Sequence, residues 1–269
     1  MTERRKVDRP TVLAVGAHPD DIEFMMGGTL ALLEKRGWEI NLLTVGNGSC
    51  GTATESSAAI IKKRKKEAQD AGAVIGAHWH RSFCNDLEIT YTPELISRIL
   101  AVVRKVKPRI MLVPSPTDYM EDHSITARLA VTAGFARGMR NFPCKPHIQP
   151  ADFPLTVYHA LPYGLRGPLR ERIRAGQYAD ISEVMEAKTR MLACHRSQKE
   201  WLDRSQGLGS YLEEMKKQSR EAGKMAGKFK MAEGWRRRSH LGFTIKDTDP
   251  LGEALGKKGR TDQKYGKHL

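Results

Sequence analysis

Two short segments carry the side chains best suited to chemistry. The first is Ala17-His18-Pro19-Asp20-Asp21, followed by Gly27-Gly28-Thr29; the second is Pro116-Thr117-Asp118-Tyr119-Met120-Glu121-Asp122-His123. Imidazole and carboxylate are suitable ligands for a zinc-like divalent cation, and a hydrolytic centre uses three protein ligands and leaves a position open for water. The first segment offers two ligands from one turn, and His123 offers a third from elsewhere in the chain. A structural reading stands beside this one. His18 would close a turn, the aspartates would cap the helix containing Gly28, as aspartate commonly does, and His123 would simply open the next helix.

The two segments lie about 100 positions apart, so the fold must bring them together. Thr11–Val15, Ile40–Val45, His80–Cys84, Ile110–Val113 and Thr156–Ala160 read as strands. Between them, Gly28–Lys35, Ser56–Ala71, Pro93–Val106 and Ser124–Arg137 carry apolar residues at helical spacing. This alternation predicts an α/β fold, a Rossmann-like parallel sheet flanked by helices. In the usual doubly wound order the first and fourth strands are neighbours at the switch point, where ligands bind beyond the carboxyl ends of the strands. Both chemistry-bearing segments follow those two strands.

From Pro162 onward the pattern is less regular. Ser182–His195 reads as a helix that Ser182 could cap, and a polar helix follows near Gly209–Ala222. The expected organisation is a Rossmann-like metal-binding core over 1–160, a less regular α/β portion of the same domain over 161–250 forming substrate pocket or oligomer contacts, and a basic, loosely ordered tail over 251–269.

The 269 residues are 40% hydrophobic, enough for a sizeable core. No apolar run has the length of a signal-peptide core or a membrane span, and the four cysteines, Cys50, Cys84, Cys144 and Cys194, form no C-x-x-C pair. These features predict a soluble cytoplasmic protein with free thiols. The net charge of +14 favours anionic partners, but runs such as Lys62-Lys63-Arg64-Lys65-Lys66 are commonly solvated helix faces. No groove-reading or RNA-binding pattern accompanies them, so nucleic acid is not an expected partner.

Taken together, His18-Pro19-Asp20-Asp21 with Gly27-Gly28-Thr29, then Asp118-Tyr119 and Asp122-His123, resemble the LmbE-like family. That family includes N-acetylglucosaminyl-phosphatidylinositol de-N-acetylase (PIG-L) and the deacetylases of mycothiol and bacillithiol synthesis. The run Arg64, Glu67, Ala71, Gly76, the acidic Asp86, and the segments Asp180-Ile181-Ser182, Lys188 and His195-Arg196-Ser197-Gln198 are similar to further family patterns, so the resemblance covers roughly residues 10–240. It implies that His18, Asp21 and His123 bind a metal, zinc or alternatively iron, and that Asp20 is the general base. It also implies that Arg64 and Asp86 contact a small-molecule N-acetylated sugar. A homo-oligomer is the expected assembly, and His195 is read as a packing or inter-subunit residue.

One departure bears on mechanism. Where the family commonly reads D-Y-H-P-D-H, this chain has Met120 and Glu121 in place of His and Pro. The family His is credited with stabilising the oxyanion or supplying a proton, and a thioether does neither. Tyr119 is the preferred substitute because a phenol can donate to an oxyanion; Glu121, His159 and a residue from the C-terminal part are the others. Asn47 likewise stands where the family often has a charged residue. The leading expectation is a zinc-dependent N-deacetylase of linear amides acting on a GlcNAc-containing substrate. The alternative is a catalytically weak family member that binds an anionic partner.

Overall fold

The computed structural model describes residues 9–198, 201, 211–263 and 265. Strands β1 (Thr11–Gly16), β2 (Glu39–Thr44), β3 (His78–His80), β4 (Ile110–Val113), β5 (Thr156–Ala160), β6 (Gln177–Asp180), β7 (Ala232–Arg237) and β8 (Gly259–Thr261) form one sheet in the order β3-β2-β1-β4-β5-β7-β6-β8. The β3-to-β5 portion is parallel, and β7, β6 and β8 extend it antiparallel. The expected α/β fold is therefore present, with β1 and β4 adjacent, and the sheet as a whole is mixed.

The central strands are buried on both faces, as parallel strands covered by helices must be. Val12 and Ala14 of β1, with Ile110 and Leu112 of β4, enter one core; Leu13, Val15, Met111 and Val113 enter the other. The first core packs beneath α1 (Asp21–Lys35), α5 (Met185–Ala193), α6 (Tyr211–Ala226) and α7 (Pro250–Leu255), the second beneath α3 (Pro93–Val106) and α4 (Glu121–Phe135). The remaining helix, α2 (Ser57–Ala73), packs beside β3 and α5. Ser56 and Thr92 cap α2 and α3, and Pro93 opens α3 at the position where its missing N–H costs nothing.

Several boundaries differ from the sequence expectation. The third strand ends at His80; the chain then leaves the ladder and returns only at Cys84, which bridges to Gly46. Ser182 does not cap a helix through its side chain. Its hydroxyl donates to Asp180 Oδ1 (2.6 Å) and accepts from Met231 N–H (3.3 Å), opening a 3-10 turn before α5. Residues 251–263, expected within a loose basic tail, are instead built into the fold. Leu251 and Leu255 of α7 are buried in the core, and β8 pairs with β6.

A buried carboxylate ties the less regular portion to the first helix. Glu233 of β7 accepts from Gly28 N–H (2.8 Å), Thr29 N–H (2.7 Å) and Lys188 Nζ (2.6 Å), so both charges of the pair are satisfied, as burial requires. Gly28 is required by the same packing, since a Cβ there would lie 2.7 Å from the Ile181 side chain.

Candidate metal centre

At the end of β1 the chain turns sharply, and Asp21 fixes the turn. Its Oδ2 accepts from the backbone N–H groups of Ala17 (2.9 Å) and His18 (2.8 Å), while Oδ1 lies 3.3 Å from Nε2 of His123. His123 sits in the first turn of α4, brought alongside because β4 is the neighbour of β1. Nδ1 of His123 is 2.9 Å from Asp118 Oδ1, and Nε2 of His18 is 2.8 Å from Asp122 Oδ2. If each ring donates to its carboxylate through that nitrogen, loss of the second ring proton would free a lone pair on His18 Nδ1 and on His123 Nε2.

Donor atoms of His18, Asp21 and His123 all lie within 4.8 Å of one another, and all three residues are buried. Burial alone would lower both imidazoles. Asp122, Asp21 and Asp86 outweigh it at His18, and Asp21 and Asp118 outweigh it at His123, so both rings hold a proton more tightly than an ordinary histidine. Burial likewise would raise Asp21, but the two imidazoles and the His18 N–H keep its carboxyl well below the usual range. A carboxylate flanked by two imidazoles, each ring oriented by a further carboxylate, fits a divalent cation, which would displace the protons that otherwise balance the cluster.

Asp20 occupies the next position with φ 118°, a backbone region uncommon for a residue with a side chain. Its side chain makes no helix cap. Instead Oδ2 accepts from the Tyr211 hydroxyl (2.7 Å), and Oδ1 lies 3.4 Å from Arg64 Nη2. Burial pushes the Asp20 carboxyl above its ordinary value although Arg64 pulls it down. Arg64 is the one buried member of its basic run; Lys62, Lys63, Lys65 and Lys66 are exposed, so the run divides into an inward guanidinium and a solvated face. Arg64 Nη2 also donates to the Pro19 carbonyl, and Nη1 lies 3.9 Å from Asp86 Oδ2.

Asp86 organises the loop after β2. Its two oxygens accept from Gly48 N–H (2.7 Å) and Cys50 N–H (3.0 Å). Gly48 has φ +83°, and a Cβ there would lie 2.5 Å from Arg64 Cδ, so only glycine suits the position. Asn47 bonds to Asn85 (2.9 Å).

A cavity of about 230 Å³ is lined by His18, Asp20, Asp21, Arg64, Asp86, Tyr119 and His123, all seven residues singled out from the sequence. Met120 lines it as well, whereas Glu121 and His159 do not. Tyr119 is 56% exposed and stands edge-on to His123; burial and the charges of Asp21 and Asp118 push its phenol up, so it stays protonated. His159 hydrogen-bonds through Nδ1 to the Pro114 carbonyl (2.9 Å), and burial depresses it to about 4. His195 is buried behind the cavity with Nε2 3.4 Å from Glu23 Oε2, a packing position within the chain.

Sequence reasoning missed the residues that hold the site in place. Asp118 and Asp122 were visible in the second motif, but nothing in the spacing showed that they would orient the two imidazoles. Tyr163 lies in the less regular portion, and Tyr211 lies in the polar helix expected near Gly209–Ala222, where nothing marked it as a partner of Asp20. The four cysteines are unpaired, and among the described residues no helix is long and apolar enough to cross a membrane.

Fold and site define an α/β protein with a buried His-Asp-His cluster and an adjoining carboxylate at the carboxyl edge of its sheet. Residues 13–134 match the PIG-L family, described as GlcNAc-PI de-N-acetylase. The diacetylchitobiose deacetylase of Thermococcus kodakarensis is 30% identical over 197 residues, 71% of either chain. The 4-oxalmesaconate hydratase of Pseudomonas putida is 24% identical over 205 residues, 72% of this chain and 77% of its own. Among solved structures, the N,N'-diacetylchitobiose deacetylase from Pyrococcus horikoshii superposes with a TM-score of 0.71 at 22% identity, over 91% of this chain and 89% of that one. The chain belongs to the PIG-L family.

Proposed function

We propose that this protein is a metal-dependent deacetylase that hydrolyses the N-acetyl amide of a GlcNAc-type amino sugar. The observation that carries the reading is the gathering of donor atoms of His18, Asp21 and His123 within 4.8 Å of one another, in a cavity that Asp20 also lines. Zinc is the metal this donor set favours, with iron the alternative. When bound, such a cation would lower the pKa of a water and polarise the acyl oxygen.

The protein's own groups account for the rest. Asp20, buried and raised in pKa, takes the proton of the attacking water and later delivers it to the departing amine, so that the C–N bond breaks with acetate and free amine as products. Tyr211 and Arg64 fix that carboxylate. Tyr119, neutral and open to the cavity, donates to the developing oxyanion in the role that Met120 cannot fill. Arg64 and Asp86 stand together on one wall as contacts for the sugar. Four free thiols accord with the reducing cytoplasm as its compartment.

The test is acetate release from N-acetylglucosamine, its β-glycosides and N,N'-diacetylchitobiose by zinc-loaded and iron-loaded protein. Release that depends on the metal supports the reading, and its absence across the panel refutes it. A hydratase among the relatives makes hydration of 4-oxalmesaconate the control reaction.

A further inference from the structure

The cavity lining combines two kinds of group. Asp20, Arg64, Asp86 and Gln198 supply polar atoms. With them runs a series of rings from Asp20 to His123. Tyr211, which donates to Asp20, lies 5.5 Å from Phe24; Phe24 lies 5.3 Å from Tyr163; Tyr163 lies 5.8 Å from Tyr119; and Tyr119 lies 5.7 Å from His123. Met25 and Met120 add adaptable thioethers to the lining.

Leu87 completes the rim. Leu87 lines the cavity yet is 70% exposed, and its backbone has φ 64°, where Asn, Asp or Gly is the usual occupant. The backbone conformation has a cause, since Leu87 N–H donates to Asp122 Oδ2 (2.8 Å), the carboxylate that orients His18. Among the described residues its side chain joins no apolar cluster, so a largely exposed leucine stands at the site in a backbone region that disfavours it. Exposed leucines are ordinary when scattered, but this one stands beside the reacting centre, with the half-exposed Tyr119 on the same rim.

We infer that the substrate carries an apolar group, aryl or alkyl, flanking the scissile amide, and that Leu87 is a specificity-determining contact for it. The inference rests on the deacetylase reading and narrows its substrate class. Two sources share this chemistry: an apolar aglycone on the amino sugar, or an N-acyl chain longer than acetyl.

The experiment uses zinc-loaded protein and reads binding by calorimetry alongside carboxylate release. The probes are methyl, n-butyl and phenyl N-acetyl-β-glucosaminides and methyl N-hexanoyl-β-glucosaminide. At least one apolar probe is expected to bind about tenfold more tightly than the methyl N-acetyl compound, as burial of a leucine-sized apolar surface allows. Leu87→Asn, which suits the backbone conformation, removes most of that ratio. Preference for the butyl and phenyl glycosides assigns the group to the aglycone, and preference for the hexanoyl compound assigns it to the acyl chain. Equal binding of all four, or a ratio unchanged by Leu87→Asn, overturns the inference whether or not carboxylate is released. Absence of release with the binding preference intact overturns the deacetylase reading and leaves the apolar contact standing.

Discussion

Asp122 reaches back from the residue before His123 to hold His18, with Oδ2 2.8 Å from Nε2. Adjacent residues at the start of one helix thus serve two of the proposed ligands, His123 itself and His18 through its partner carboxylate. The link explains how a motif some hundred residues downstream fixes the geometry of the first.

Replacing Asp122 with Ala is expected to weaken metal binding about 10–100-fold, because the His18 ring loses the bond that sets its tautomer and orientation. Competition with a chelator of known affinity measures this. Unchanged affinity would show that packing alone orients His18.

Asp20→Asn separates base from ligand. The amide keeps the shape and loses the capacity to take a proton, so metal content should stay at the parent level while turnover falls about 100-fold or more. Elemental analysis and acetate release on the same sample check both halves, and undiminished turnover would remove Asp20 from the reaction.

Tyr211→Phe deletes the hydroxyl 2.7 Å from Asp20 and leaves the ring series in place. A hydrogen bond to a charged group contributes about 1.5–3 kcal/mol, so kcat is expected to fall roughly tenfold or more with little change in KM. A rise in KM at constant kcat would instead assign Tyr211 to substrate binding.

His159 gives a pH dependence away from the metal cluster. Its folded value is depressed from the ordinary 6.5 to about 4 by burial, Arg236 and Arg238, against the bond to Pro114. The unfolded chain therefore binds this proton at a higher pH than the folded chain, and the contribution to stability is lost as pH falls through the window between 6.5 and 4. Urea unfolding at pH 7 and pH 5 should show a loss about 2 kcal/mol smaller in His159→Gln than in the parent. An identical loss in both proteins would mean that His159 titrates normally.

Much of this architecture was legible because apolar periodicity and caps act locally. The span Pro93–Val106 follows directly from Thr92, Pro93 and the left-handed Lys107 ahead of Pro108, and β4 and β5 from short apolar runs. Five of the seven cavity residues, His18, Asp20, Asp21, Tyr119 and His123, stand in two motifs at strand ends, whereas Arg64 and Asp86 were suggested only by the family resemblance. What was not legible is non-local. The strand Ala232–Arg237 contains Glu233, Arg236 and Arg237, charges that argue against a buried strand until Lys188 and the α1 backbone are seen to satisfy Glu233. β8 looked like tail because Gly and Lys surround it, and non-local contacts hold it: its pairing with β6 and the bond from Arg260 to the Ala226 carbonyl. Tyr211 lies 191 positions from Asp20, beyond any spacing rule.

The central claim is that His18, Asp21 and His123 hold the cation on which removal of the N-acetyl group depends. Its most direct measurement is acetate release from an N-acetyl-β-glucosaminide by chelator-stripped protein titrated with zinc. The account predicts release that rises in proportion to added metal, saturates at about one equivalent per chain, as three ligands with one open position imply, and is abolished by His123→Ala. Release that is indifferent to chelation, or no release at any metal loading, would contradict it.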